Sequence, residues 1–456
     1  MSAVNDVECD VVVVGAGLSG LVAARRLSRA GLDVHVVEAR DRVGGRLYTE
    51  ETMGSRRFHA DLGGQWVGPE QTHILGLLDE LEVETFAQYN EGQHCLFVDG
   101  KRHAYRGDIP SIGALGLVNL QWAFFRINRL SAALDPRMPH RWSEAKKWDA
   151  MTVETWLRRH LKDPRAMSCM VGLVRAVFAA EPCEVSMLQF LFYMRSGNGV
   201  MSLAGVEGGA QQDKLVGGAQ KICEKLARPM EKSLHLESPV RRISQDNSSV
   251  TVVCDEVRIT ADFAVVAMAP AMWGAIDWEP ALCGSRMQLS QRMPMGSVIK
   301  SVAFYEEAFW RERGFSGQFV DDSGVVQLGF DYTLEEGQPP ALVGFIVGAA
   351  ARKWTRRSEA DRKAAVLSSF ARIFGDQALE PICFLQKDWL ADRWAQGCYV
   401  GMMAPGAWAE GGEVIRRPQG RIHWAGTETA VEGNGYMDGA VEAGMRAARE
   451  ITARQR

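Results

Sequence analysis

None of the nine cysteines forms a CxxC pair, and their number is odd. That excludes a cysteine-built zinc site and argues against the disulfide framework of a small secreted domain. No stretch reaches 18 uninterrupted apolar residues, the minimum for a membrane-spanning helix. The nearest approach, residues 111–130, is broken by Asn119, Gln121 and Arg126, so it reads as an amphipathic or buried helix, with a substrate entrance as the other use. The nine histidines contain no HExxH and the chain no GxSxG, which leaves zinc-peptidase and serine-hydrolase chemistry without support. Nor is there an excess of positive charge: 52 Lys and Arg stand against 56 Asp and Glu, a formal −4. That balance predicts no nucleic-acid partner and no attraction to an anionic membrane. Without a secretory leader, the expected compartment is the cytoplasm.

What is present is an ordinary globular composition, 46% hydrophobic and 24% charged over 456 residues, enough for two or three domain-sized units. The N-terminus has the clearest organisation. Residues 11–14 are a short apolar run, as in a strand buried on both faces. Gly15, Gly17 and Gly20 follow as GxGxxG and lead into helix-forming residues; after Gly31, "DVHVVE" reads as a second strand ending in Glu38. Gly15 makes the tight turn, Gly17 lets a pyrophosphate approach, and Gly20 lets helix and strand touch. Glu38, 18 residues beyond Gly20, is placed for ribose hydroxyls. This is a dinucleotide-binding unit.

The next segments narrow the choice. "EARDRVGGRLYTE" sets Arg42 and Arg46 around Gly44 and Gly45, and "DLGGQWVGPEQ" follows at 61–71. Glycines admit close backbone approach and arginine pairs with phosphate. The succession resembles the flavin-dependent amine oxidase family, which implies FAD in the nucleotide fold. By that resemblance Glu38 holds the adenosine ribose and Arg46 the pyrophosphate region, while Gly64, Gln65 and Trp66 approach the flavin. Arg40, Gly45, Trp389 and, in "ESPV", Val240 at the adenine complete the expected contacts.

Near the other end, "RIHWAGTETA" is similar to the family's second FAD segment, with Gly426, Thr427 and Glu428. A helix then follows Gly435, Tyr436 and Met437, its N-terminal amides suited to negative charge on the cofactor. "MPMGSVIKSVAFYEEAFW" is similar to the monoamine oxidase segment that carries a lysine beside the flavin. The resemblance implies that Lys300 holds a water there, whereas pattern alone favours an outward-facing strand lysine. It also implies that Tyr399 and Tyr436 form an aromatic cage around the amine. Cys398, in "GCY", falls where some members carry a covalent flavin link; a small buried thiol is the alternative.

The expected reaction is oxidation of a hydrophobic amine to an imine, hydrolysed to aldehyde or ketone, with O2 reduced to H2O2. Family similarity assigns Gln211, Phe345, Phe330 and either Val177 or Phe178 to the substrate pocket. "GPEQ" at 68–71 departs from the GPMR-like pattern of amino-acid oxidases, which points to an amine without a carboxylate. Glu207 would serve a diamine such as putrescine. A dehydrogenase or desaturase of the same fold, or a non-catalytic flavoprotein, are the competing functions. No metal is expected, a homodimer stays open, and the chain's end at Arg456 predicts no membrane anchor. The fold class is α/β in two domains. A discontinuous Rossmann-like FAD domain (1–80, 205–290 and 385–456) combines with a mixed-sheet and helical substrate domain (81–204 and 291–384).

Overall fold

The apolar run at 11–14 is the buried end of the strand Asn5–Val14. It sits between two parallel neighbours, Val34–Val37 and Val257–Val266, with Leu234–His235 parallel beyond the first. An antiparallel meander of Val250–Val253 and Arg242–Gln245 extends the other side, ending in Asp277–Glu279. Late in the chain, Ile422–Trp424 returns to pair in parallel with Val257–Val266. The computed structural model describes residues 5–52, 58–98, 100–107, 110, 112–335 and 337–455.

The helix Leu18–Arg29 covers this sheet, and the helix Met437–Thr452 packs against it. Small residues permit the close contact. A Cβ at Gly20 would overlap the Gly15 carbonyl, and one at Gly444 would overlap the Ser19 carbonyl. Ala440, Val441 and Ala447 are buried on the same face of the last helix, as their spacing predicts.

A second sheet runs Cys383–Asp388, Val298–Phe304, Ala341–Val347, Leu328–Asp331, Phe315–Asp321, Gln93–Val98 and Lys101–Tyr105. All its pairs are antiparallel except Phe315–Asp321 with Gln93–Val98. Both segments of the expected substrate domain contribute to this sheet, the last two strands coming from 81–204. They flank the sequence dipeptide Asp-Gly at 99–100, a hairpin signal. The helices Ala114–Ala132, Pro164–Phe178 and Met187–Ser196 pack together beside this sheet. Asp163 caps the second of them, accepting from the amides of Arg165 and Ala166, with Pro164 at its first position. It ends where Ala179 turns left-handed at φ 51°. The architecture is α/β, with two sheets and a helical layer enclosing one long cavity.

Candidate active site

The cavity, about 610 Å³, runs from the glycine turn of the first strand to the helical layer. At the nucleotide end Gly15, with φ +103°, turns the chain at the strand's end. The backbone of Gly17 faces that of Gly45, where an added Cβ would stand 3.4 Å from the Gly17 Cα. Glu38, 4% exposed, accepts from the amides of Ala16 (2.8 Å) and Arg40 (3.0 Å), so its carboxylate is fixed at the cavity wall. Arg40 in turn donates to Asp392 at 2.6 Å, and Val240 lies along the same wall.

In the middle, the loop carrying Cys398 and Tyr399 lies on residues 295–297. The Cys398 amide donates to the Gly296 carbonyl (3.0 Å), and the Gly296 amide to Val400 (3.1 Å). The Cys398–Tyr399 peptide is cis. Arg46 ties this loop to both chain ends. Its guanidinium meets Glu428 bidentately at 2.5 and 3.0 Å and donates to the Tyr399 carbonyl at 2.9 Å. Burial alone would raise the Glu428 pKa, but the Arg46 charge and its hydrogen bonds override that and hold it below the usual value. Burial pushes the Cys398 thiol up to about 12, against the opposing pull of Arg46 and Lys300.

Lys300 faces inward. Its strand is buried along its whole length, and the amine donates to the Gly63 carbonyl at 2.9 Å and to Gln65 Oε1. Burial brings its pKa down to about 7, with Asp61 opposing the shift. The register places Phe345 opposite Lys300, and Phe345 meets Tyr399 edge-on at 6.3 Å between ring centroids. Trp66 packs edge-on against Phe330 at 5.1 Å, and its indole donates to Gln88 at 3.0 Å. Tyr436 precedes the last helix, its ring 6.0 Å from that of Tyr193 and tilted to it by 42°. Burial raises the phenol pKa of both Tyr399 and Tyr436, keeping them neutral.

Thus Gly15, Gly17, Glu38, Arg40, Gly45 and Arg46 all line one cavity, as do Gly64, Gln65, Trp66, Val240 and Lys300. So do Cys398, Tyr399, Gly426, Thr427, Gly435, Tyr436 and Met437, together with Val177, Gln211, Phe330 and Phe345. Four residues singled out from sequence stand behind it. Gly20 is a packing contact, and Glu428 braces Arg46. The Trp389 indole donates to Leu62 at 2.8 Å, and Phe178 packs against Tyr193 at 4.6 Å. Glu207 is exposed and lies outside the cavity lining.

Sequence reasoning missed Asp61, Lys214, Tyr332 and Tyr193. Asp61 accepts from Thr49 Oγ1 (2.6 Å) and the Ala219 amide (2.9 Å), and burial raises its pKa against the pull of Lys300. The Tyr332 hydroxyl accepts from the Asp61 amide at 2.6 Å, beneath both Lys300 and Lys214. Asp61 had a signal, since it opens the "DLGG" segment; Tyr193 is hidden in an apolar run, and Lys214 and Tyr332 follow aspartates in mixed stretches that carry no pattern of their own.

Would these residues fit an FAD? The glycine cradle is open, a Cβ at Gly17 meeting nothing nearer than the Gly45 Cα at 4.0 Å, and the helices Leu18–Arg29 and Met437–Thr452 both begin at the cavity. Gln65 Nε2 is buried without a partner. Those features suit a pyrophosphate at one end and a polar, planar ring system at the other.

Comparison with known proteins agrees. Residues 18–452 match the family of flavin containing amine oxidoreductases. The chain is 42% identical over 445 residues to a probable flavin-containing monoamine oxidase A of Dictyostelium discoideum, covering 97% of each. It is 36% identical to an amine oxidase [flavin-containing] B of Bos taurus, covering 97% of this chain and 86% of that one. Among solved structures, cyclohexylamine oxidase from Brevibacterium oxydans superposes with a TM-score of 0.94 at 34% identity, covering 98% and 99% of the two chains. Putrescine oxidase bound to putrescine gives 0.93 at 32%, covering 98% and 100%. The chain therefore belongs to the flavin-containing amine oxidoreductases and is an FAD-dependent enzyme acting on amines.

Proposed function

We propose that the enzyme oxidises a hydrophobic monoamine to an imine, which water converts to an aldehyde or ketone, with O2 as acceptor. One observation carries the choice of substrate. Among the described lining residues between 96 and 211 and between 300 and 345, Lys300 is the only charged side chain, and no carboxylate is present. The second ammonium of a diamine would enter this arm without a counter-ion, and an amino acid would find no arginine there. Stranding a charge in such surroundings costs several kcal/mol.

When bound, FAD accepts two electrons from the amine carbon and passes them to oxygen, releasing hydrogen peroxide. The chain orients and excludes. Glu38, Val240 and the glycine cradle hold the nucleotide end, while Gln65, Trp66 and the amides around Gly435 hold the ring end. Tyr399 and Tyr436 flank the amine and orient it, while desolvation in the apolar slot disfavours its ammonium form. Lys300 holds a water for imine hydrolysis. Trp389, Glu428 and Phe178 brace these groups from behind.

The substrate test is a comparison of kcat/KM for an arylalkyl monoamine, putrescine and an amino acid. The monoamine should lead both others by about a hundredfold; parity with putrescine would refute the reading.

The same reading gives Cys398 as the attachment point of a covalent flavin. It lines the cavity, and a solved structure of putrescine oxidase with alanine replaced by cysteine belongs to a redesign of cofactor binding. Acid precipitation should leave yellow in the pellet for the native enzyme and in the supernatant for Cys398→Ala. All nine cysteines are free, which supports a cytoplasmic location.

A further inference from the structure

Nine large apolar side chains are conspicuously exposed among the described residues, and four of them share the helix Ala114–Ala132. Leu115 (73% exposed), Val118 (63%), Trp122 (39%) and Phe125 (62%) recur at i, i+3, i+7 and i+10, so they form one stripe. The opposite stripe is internal: Leu120, Ala123 and Ile127 are buried, and Leu120 and Phe124 line the substrate arm of the cavity. One helix thus has an apolar inner face on the site and an apolar outer face on water.

The charge carried by this helix has one sign. The helix carries Arg126 and Arg129 and no acidic residue. Residues 101–132 hold five Lys or Arg and one Asp, a formal +4 within a chain of −4. Arg106 and Arg129 are exposed, and the Arg126 guanidinium lies 5.9 Å from the Trp122 ring centroid. Trp122 also stacks on Trp156 at 6.1 Å, in the helix Val153–His160, where Arg158 is paired with Glu154 and Arg159 is exposed in the last turn. A second copy meeting this face about a two-fold axis would set arginines against arginines, which is repulsive. A partner that is apolar beneath and anionic on top has no such conflict.

We propose that this helix seats the enzyme on the surface of an anionic lipid bilayer. The stripe enters the boundary between headgroups and acyl chains, and the arginines remain among the lipid phosphates. The helix lies on the membrane rather than through it, since no helix among the described residues is long and apolar enough to cross.

Vesicle flotation of the holoenzyme tests this. With phosphatidylglycerol and phosphatidylcholine in equal parts the enzyme should float, and with phosphatidylcholine alone it should stay at the bottom. Replacing Leu115→Ser and Phe125→Ser together should cut the floated fraction about tenfold or more, with turnover of a water-soluble amine unchanged, because neither side chain lines the cavity. Arg126→Gln with Arg129→Gln should weaken flotation and its salt sensitivity. Equal binding to both lipids, or to neither, overturns the proposal. So does a native dimer that the Leu115 and Phe125 changes dissociate without any flotation, which would assign the stripe to a second copy.

Discussion

The Lys300 amine makes two hydrogen bonds, to Gly63 and Gln65, and a neutral amine has two N–H donors. Above its lowered pKa of about 7, both are therefore used and one lone pair is left to take a proton from water. Below that pH the third proton occupies the lone pair, and the base is lost. Turnover at saturating amine should therefore rise with pH through about 7, and Lys300→Met should lack that rise while losing about a hundredfold in kcat. A ratio of native to variant rates that stays flat across this range would refute the assignment. The inward direction of Lys300 was not legible from its own strand. Val298–Phe304 is buried on both faces, so no alternation of polar and apolar residues marks an inside. Only the family resemblance pointed inward. Tyr332 was invisible for a related reason: its role comes from contacts across the fold, with the Asp61 amide and beneath two lysines, which local pattern does not encode.

At the scale of elements, the two glycine-dependent contacts differ in how easily they read. GxGxxG announced its turn and helix because two of its glycines answer local demands: Gly15 turns at positive φ, and a Cβ at Gly20 would overlap the Gly15 carbonyl. Gly444 answers one from the far end of the chain, where an added Cβ would overlap the Ser19 carbonyl. Gly444→Ala should push the last helix away from the first and weaken FAD retention, visible as a lower Tm and faster loss of flavin on dilution. An unchanged Tm would mean that the two helices can shift without cost. The helix Ala114–Ala132 shows the limit of periodicity. Its apolar residues occupy two opposite stripes, and the sequence reading of an amphipathic or buried helix did not say that one stripe would be left outside. The balanced net charge likewise concealed the basic cluster beside it.

For the molecule as a whole, Arg46 and Glu428 join segments 382 residues apart. Glu428 is fully buried and the Arg46 side chain is 24% exposed, and removing one partner of a buried pair typically costs about 3 kcal/mol. Glu428→Gln should therefore unfold at lower denaturant than the native enzyme at neutral pH. The sign of the pH effect follows from the depressed carboxylate pKa. Its contribution is full above the unfolded value of about 4.5 and disappears as pH falls through the lower folded value. Urea titrations should then show the gap between the native enzyme and the Glu428→Gln variant closing in acid; a gap that persists there would mean the carboxylate is not what holds the clamp.

That clamp also sets an order of events. The strand Ile422–Trp424 completes its pairing with Val257–Val266, and the Gly426 amide reaches Ser19 Oγ at 2.9 Å. A ribosome making this chain exposes the nucleotide turn early, yet the other wall of the cavity emerges only with residues 422–440. The pocket cannot close around its cofactor until residues 422–440 have left the ribosome, about 400 residues after the nucleotide turn, so flavin loading waits on both walls.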